Sequence, residues 1–125
     1  MWNDGNTCLD QLKEEVHQIC LRKGWGVDGI QNPQHVAMAM TVEMSEMLEH
    51  FQWLEPEDVQ RLMRGDDPER VALIAEEFAD VFIYGLQIAR TLGFDITQQI
   101  LRKIDIVDHR PPVTASARAE EREEQ

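Results

Sequence analysis

Positive charge is scarce in this sequence. Twelve Lys and Arg stand against 24 Asp and Glu, a formal net charge of −12 over 125 residues. A chain this acidic does not bind a polyanion through charge, so duplex nucleic acid and anionic membrane are excluded as main partners. Long apolar stretches are missing too. The longest, Val81 to Leu86, falls far short of the roughly 20 residues that a membrane-spanning helix needs. The start, Met1-Trp2-Asn3-Asp4, carries neither a basic segment nor an apolar one, so no secretory signal is expected there. Cysteine is limited to Cys8 and Cys20. If both lie on one helix they are about 18 Å apart, beyond the ~7 Å Cα separation that a disulfide tolerates. Reduced thiols and a cytoplasmic location are expected, and two lone thiols do not build a zinc site. Strand-like alternation and internal repeats are lacking as well.

What the chain does have is helical periodicity. The spacing predicts a first helix from Thr7, as N-cap, to about Lys23, with Leu9, Leu12, Val16, Ile19 and Cys20 inward and Gly24 as its stop. Asn32-Pro33 opens a second helix to about Leu54, and a short helix follows from Pro56 to near Arg64. Asp67-Pro68 opens a long fourth helix to Leu92, and Asp95, with Gln98 three residues on, starts a fifth to about Val107. The expected fold is all-α, four main helices plus a short connecting one, packed as a bundle. At 14.5 kDa the chain has room for one core. Residues 1–112 are expected to form one domain, and 113–125 a flexible acidic C-terminal tail.

The acid is unevenly spread. Between Glu43 and Asp80, twelve acids face only Arg61, Arg64 and Arg70, so this window holds −9 of the −12. On the second helix, at about 100° per residue, Val36, Ala39, Met40, Met47 and Leu54 fall within roughly 60° of Glu43. Glu46 sits to one side of that apolar face, and His50 lies close to the direction of Glu43; Thr41, Ser45 and Gln52 point away. On the fourth helix Val71, Ile74, Phe78, Val81, Gly85, Ile88 and Leu92 form a continuous apolar seam. Glu77, Asp80 and Tyr84 run along one edge of it, while Glu69, Glu76, Gln87 and Arg90 read as solvent-facing. Each helix thus offers two carboxylates three residues apart, neighbours on a helix surface.

Four acids converging from two facing helices repel one another unless a cation sits among them. The all-oxygen donor set suits Mg²⁺ or Mn²⁺ rather than Zn²⁺ or Cu²⁺. Two blander readings stand beside this one. A Glu-x-x-Glu on a helix is often only a solvated face. A di-iron bundle needs Glu-x-x-His on two helices, and no Glu here has His at the third following position. Trp53 and Tyr84 could equally be core residues, whereas Trp25, set between Gly24 and Gly26, is well placed to cover a planar group.

Glu43-Met44-Ser45-Glu46, the run Met47-Leu48-Glu49-His50-Phe51-Gln52-Trp53, and Glu76-Glu77-Phe78-Ala79-Asp80-Val81-Phe82-Ile83-Tyr84 together resemble the MazG-like all-α nucleoside triphosphate pyrophosphohydrolases, most nearly their dCTP pyrophosphatase branch. The likeness runs from about His17 to Arg110. It implies Mg²⁺-dependent cleavage between the α- and β-phosphates of a nucleoside triphosphate substrate, giving a monophosphate and pyrophosphate. By position, Glu43, Glu46, Glu77 and Asp80 would be metal ligands, with Glu46 also the catalytic base. Trp53 and Tyr84 would shape the nucleotide pocket, with His17 and Trp25 as a further nucleotide-contacting pair. Lys103 and Arg110 would meet the phosphates. Val107 and Pro111 depart from the family pattern, which usually has Asn and an aromatic there.

The resemblance also implies a homodimer or homotetramer, which agrees with an apolar arc on the fourth helix too wide for a small bundle to cover. The rival from another class is a catalytically silent helical module that binds nucleotide or another protein. Retention of all four acids favours the enzyme.

Overall fold

The computed structural model describes residues 1–112; the segment 113–125, expected as a flexible tail, lies outside the described residues. Five helices follow in order: α1 Leu9–Lys23, α2 Pro33–Glu49, α3 Pro56–Arg64, α4 Pro68–Leu92 and α5 Ile96–Asp108. None is long and apolar enough to cross a membrane.

The helix boundaries follow local chemistry. Asn32 accepts a hydrogen bond from the Gln34 N–H, 2.9 Å, and opens α2 ahead of Pro33. Asp67 and Asp95 do the same for α4 and α5, accepting from Arg70 N–H, 3.2 Å, and Gln98 N–H, 2.8 Å. Gly24, Gly65 and Gly93 close α1, α3 and α4 in the left-handed conformation. Two boundaries differ from the sequence expectation. Cys8, not Thr7, is the N-cap of α1: the Gln11 side chain accepts from the Cys8 N–H, 2.8 Å, while the Thr7 hydroxyl is engaged by Asn6 Oδ1, 2.9 Å. And α2 stops at Glu49 rather than Leu54. Pro56 holds Glu55 in an extended conformation, φ −78° and ψ 160°, so the chain leaves the helix through turns at 50–54, where Phe51 N–H donates to Leu48 O and Leu54 N–H to Phe51 O.

The backbone divides into two compact units, Met1–Phe94 and the part from Asp95 onward, whose described portion is α5 and the residues after it. In the first unit α4 is the spine, with α2 packed along it and α1 and α3 making smaller contacts. Both long neighbours run antiparallel to α4. Met40 lies beside Gly85 and His50 beside Glu77 on the α2 side; on the α1 side Glu14 pairs with Arg90 at 3.0 Å, and the Lys13 ammonium donates to the Phe94 carbonyl at 3.1 Å. Cys20, Val36, Val81, Leu86 and Ala89 are buried where these helices meet. Both cysteines are free thiols.

The apolar seam of α4 is only partly covered. Its C-terminal half lies between α1 and α2, so more than one strip is buried there, and Gln87, which the periodicity assigns to solvent, is 8% exposed. The N-terminal half leaves more of the seam open, with Val71 and Leu73 exposed. Phe78, expected inward, is 52% exposed and stacks on Phe82 with ring centroids 5.1 Å apart.

Between α1 and α2 the chain makes a tight loop in which Val27 and Ile30 exchange backbone hydrogen bonds of 3.0 Å. Gly26 has φ +70°, and a Cβ there would overlap the Ile30 carbonyl oxygen; Gly65 has φ +80° but open space around it. Gly65→Ala should therefore cost about 1 kcal/mol, the left-handed penalty alone. Gly26→Ala should cost about 1–3 kcal/mol more, the overlap adding to that penalty. Urea denaturation of the two variants measures the difference.

Candidate metal centre

The partly buried face of α2 runs through Ala39, Met40, Glu43, Met47 and His50, beginning from buried Val36, while Thr41 and Ser45 are exposed. Glu43 is therefore held among methionines on the face that meets α4. From α4, Glu77 and Asp80 lie on the facing edge. One carboxylate oxygen from each of Glu43, Glu77 and Asp80 lies within 4.8 Å of the others. Glu46, exposed like Asp80, is not one of these three; its carboxyl group lies within hydrogen-bonding reach of both Glu43 and Glu77.

The electrostatics record the crowding. The neighbouring Glu46 carboxyl is the largest cause, followed by burial and by the charges of Glu46, Asp80 and Glu77; together they push Glu43 up to about 7 from 4.5. Burial comes first for Glu77, then Glu46 and Asp80, and raises it too, with His50 acting in the opposite direction. One oxygen of Glu43, Oε2, is buried with no hydrogen-bond partner among the described residues. A buried acceptor without a donor is costly. Two of the three arginines in this stretch are engaged elsewhere: Arg64 pairs with Asp66 at 3.0 Å and Arg70 with Asp67 at 3.2 Å. His50 is the basic group that reaches the cluster, its Nε2 3.9 Å from Glu77 Oε1. Three converging carboxylates, one of which also carries a buried oxygen without a donor, fit a hard divalent cation such as Mg²⁺ or Mn²⁺.

The other candidate residues are distributed around the fold. Tyr84 is partly buried on α4, about one turn beyond Asp80. Trp53 stands in the turn after α2 and is 84% exposed, which removes the core reading of it. Trp25 is also exposed, in the loop after α1, its N–H donating to Cys20 O at 3.0 Å. His17 lines a small cavity between α1 and α4, together with Cys20, Gly29 and Gln87, and none of the four acids lines it. Lys103 is on α5 and Arg110 follows that helix, both exposed and both in the second compact unit. Sequence reasoning placed His50 close to the direction of Glu43 but gave it no role; its position seven residues after Glu43, on the same face, was the signal for its place near the cluster. Gln87 gave no signal: its burial comes from the packing of α1 on α4.

In the metal-free protein Glu43 binds its proton more tightly folded, at about 7, than unfolded, near 4.5. Its contribution is thus fully present below about 4.5 and lost as pH rises through about 7, because the folded state holds the extra proton in that window. A divalent cation needs the deprotonated cluster, so it should stabilise most above pH 7. Thermal unfolding of metal-free protein should show a melting temperature that falls between pH 5 and 8, a fall that Mg²⁺ reverses and that Glu43→Gln flattens.

Comparison with known proteins agrees with this geometry. The sequence profile of the MazG-like family matches residues 38–123, a span that contains all four acids, Trp53, Tyr84, Lys103 and Arg110 but neither His17 nor Trp25. The chain is 28% identical over 108 residues to dCTP pyrophosphatase 1 of Bos taurus, the alignment covering 86% of this chain and 62% of that protein. It therefore spans about three fifths of that relative's length. With most of its sequence matched by the profile and an all-α fold built around paired acids on α2 and α4, the chain belongs to the MazG-like family.

Proposed function

We propose that this protein is a Mg²⁺-dependent nucleoside triphosphate pyrophosphohydrolase, with Mn²⁺ able to substitute. It cleaves a (d)NTP to (d)NMP and pyrophosphate, acts on dCTP or a related or modified dNTP, and serves to clean the cytoplasmic nucleotide pool. The observation that carries this reading is the convergence of Glu43, Glu77 and Asp80, with one oxygen of Glu43, Oε2, buried and without a hydrogen-bond partner among the described residues. Family membership and the likeness to a dCTP pyrophosphatase support it.

A protein of charge −12 cannot attract a triphosphate by itself. A divalent cation bound to the cluster neutralises the carboxylates, polarises phosphoryl oxygens and lowers the pKa of water. Glu43, Glu77 and Asp80 would hold it, and Glu46 would complete the set. Glu46, which stands beside the three without being one of them, would also take the proton from the water that attacks the α-phosphorus. Trp53 and Trp25, both exposed, and Tyr84 and His17, both partly buried, serve the nucleotide. Lys103 and Arg110 offset charge on the departing pyrophosphate. The exposed apolar side chains on α4, Val71, Leu73, Phe78 and Phe82, support a homodimer or homotetramer that covers them.

Glu46→Gln and Asp80→Asn should each lower turnover by at least about 100-fold while leaving the far-UV helical spectrum unchanged. A wild-type rate in either variant contradicts the assignment. Pyrophosphate release from a panel of dNTPs and NTPs with Mg²⁺ should be fastest with dCTP or a modified deoxynucleotide. Light scattering at micromolar concentration should return a multiple of 14.5 kDa; a monomer contradicts the assembly.

A further inference from the structure

One polar side chain is buried well away from the acidic cluster. Gln87 is 8% exposed, and its Oε1 has no hydrogen-bond partner among the described residues. Turning the amide over only exchanges a buried acceptor for a buried donor, and either is costly unless something meets it. Gln87 borders a cavity of about 10 Å³ between α1, the turn at 29–31 and α4. A space of that size is about the smallest that admits a single water. His17 from α1, Gln31 from the turn and Thr91 from α4 line it as well, so residues able to hydrogen-bond reach it from three segments. None of the four acids lines it, so the cavity is independent of the metal centre.

Charge and size decide what fits. Lys13 and Arg90 stand at the cavity wall. Both are already engaged, Lys13 Nζ with Phe94 O at 3.1 Å and Arg90 Nη1 with Glu14 Oε2 at 3.0 Å. Two cations at the wall disfavour a metal ion, and a phosphate is far larger than the space. Gln87 Oε1 lacks a donor, and a small neutral molecule that both donates and accepts is water. We propose that one ordered water occupies this cavity, donates to Gln87 Oε1 and bonds His17 or the 29–31 turn, so that α4 holds the loop through it. The turn is otherwise closed on itself by the Val27–Ile30 bonds of 3.0 Å. It also lies close on α1, since a Cβ at Gly29 would come within 3.0 Å of Leu21 and 3.1 Å of His17. The water extends that hold to α4.

The full-length chain tests this without nucleotide or metal. A high-resolution crystal structure should show one water within about 2.6–3.2 Å of Gln87 Oε1 and of a polar atom of His17 or the 29–31 turn. An empty cavity, a Gln87 amide bonded directly to protein, or density too large for water overturns the proposal. Gln87→Met, of similar length but without the amide, gives a second reading by sign. If water meets Oε1, the variant loses the bridge and melts below wild type. Amide hydrogen exchange at Val27 and Ile30 should then quicken roughly five- to tenfold. If nothing meets Oε1, the substitution removes a penalty, and a melting temperature at or above wild type overturns the water. Unchanged exchange at Val27 and Ile30 overturns its hold on the loop.

Discussion

Mutual repulsion among the acids of α2 and α4 is the constraint that the rest of the structure answers to. Antiparallel packing along α4 sets Glu43 and Glu46 over Glu77 and Asp80, and it gives Glu43 an oxygen that no donor meets. Glu43 keeps its proton to about 7 as a result. A fold evolved only for stability would put apolar residues at these positions, since the flanking Met40 and Met47 show that the face is otherwise hydrophobic. Keeping acids there is costly without a compensating cation, and two of the nearby arginines, Arg64 and Arg70, pair with Asp66 and Asp67 instead.

The same constraint orders the remaining parts. The acid–arginine pairs at the start of α4 fix the connection from α3 and anchor the end of α2 through His50. The C-terminal half of α4, wedged between α1 and α2, supplies the rigid part of the unit, with Leu86 and Ala89 almost fully buried. The site lies toward the less covered half. Open apolar surface, including Phe78 and Phe82, borders the acidic cluster there.

The periodic part of this architecture was legible in the sequence because period and capping are local. Asn32-Pro33, Asp67-Pro68 and Asp95 marked their helices through side-chain geometry that needs no tertiary partner. Glu43 on the inner face of α2 followed from its 3.6-residue spacing to Met40 and Met47, and the paired acids on α4 followed in the same way. Reading failed where distant or competing contacts decide. Thr7 lost the cap because Asn6 engaged its hydroxyl, α2 ended early because Pro56 constrains the residue before it, and Gln87 was buried by a helix more than sixty positions away in sequence. Phe78 read as core because periodicity shows which residues share a face but not whether another helix covers it.

The central claim is that Glu43, Glu77 and Asp80 share one divalent cation. Anomalous diffraction from a crystal grown with Mn²⁺ tests it most directly. The account predicts a single strong peak between α2 and α4, at about 2.1 Å from carboxylate oxygens of all three residues. A Mn²⁺-saturated crystal with no density between them, or with the ion bound only at surface acids elsewhere, would contradict it.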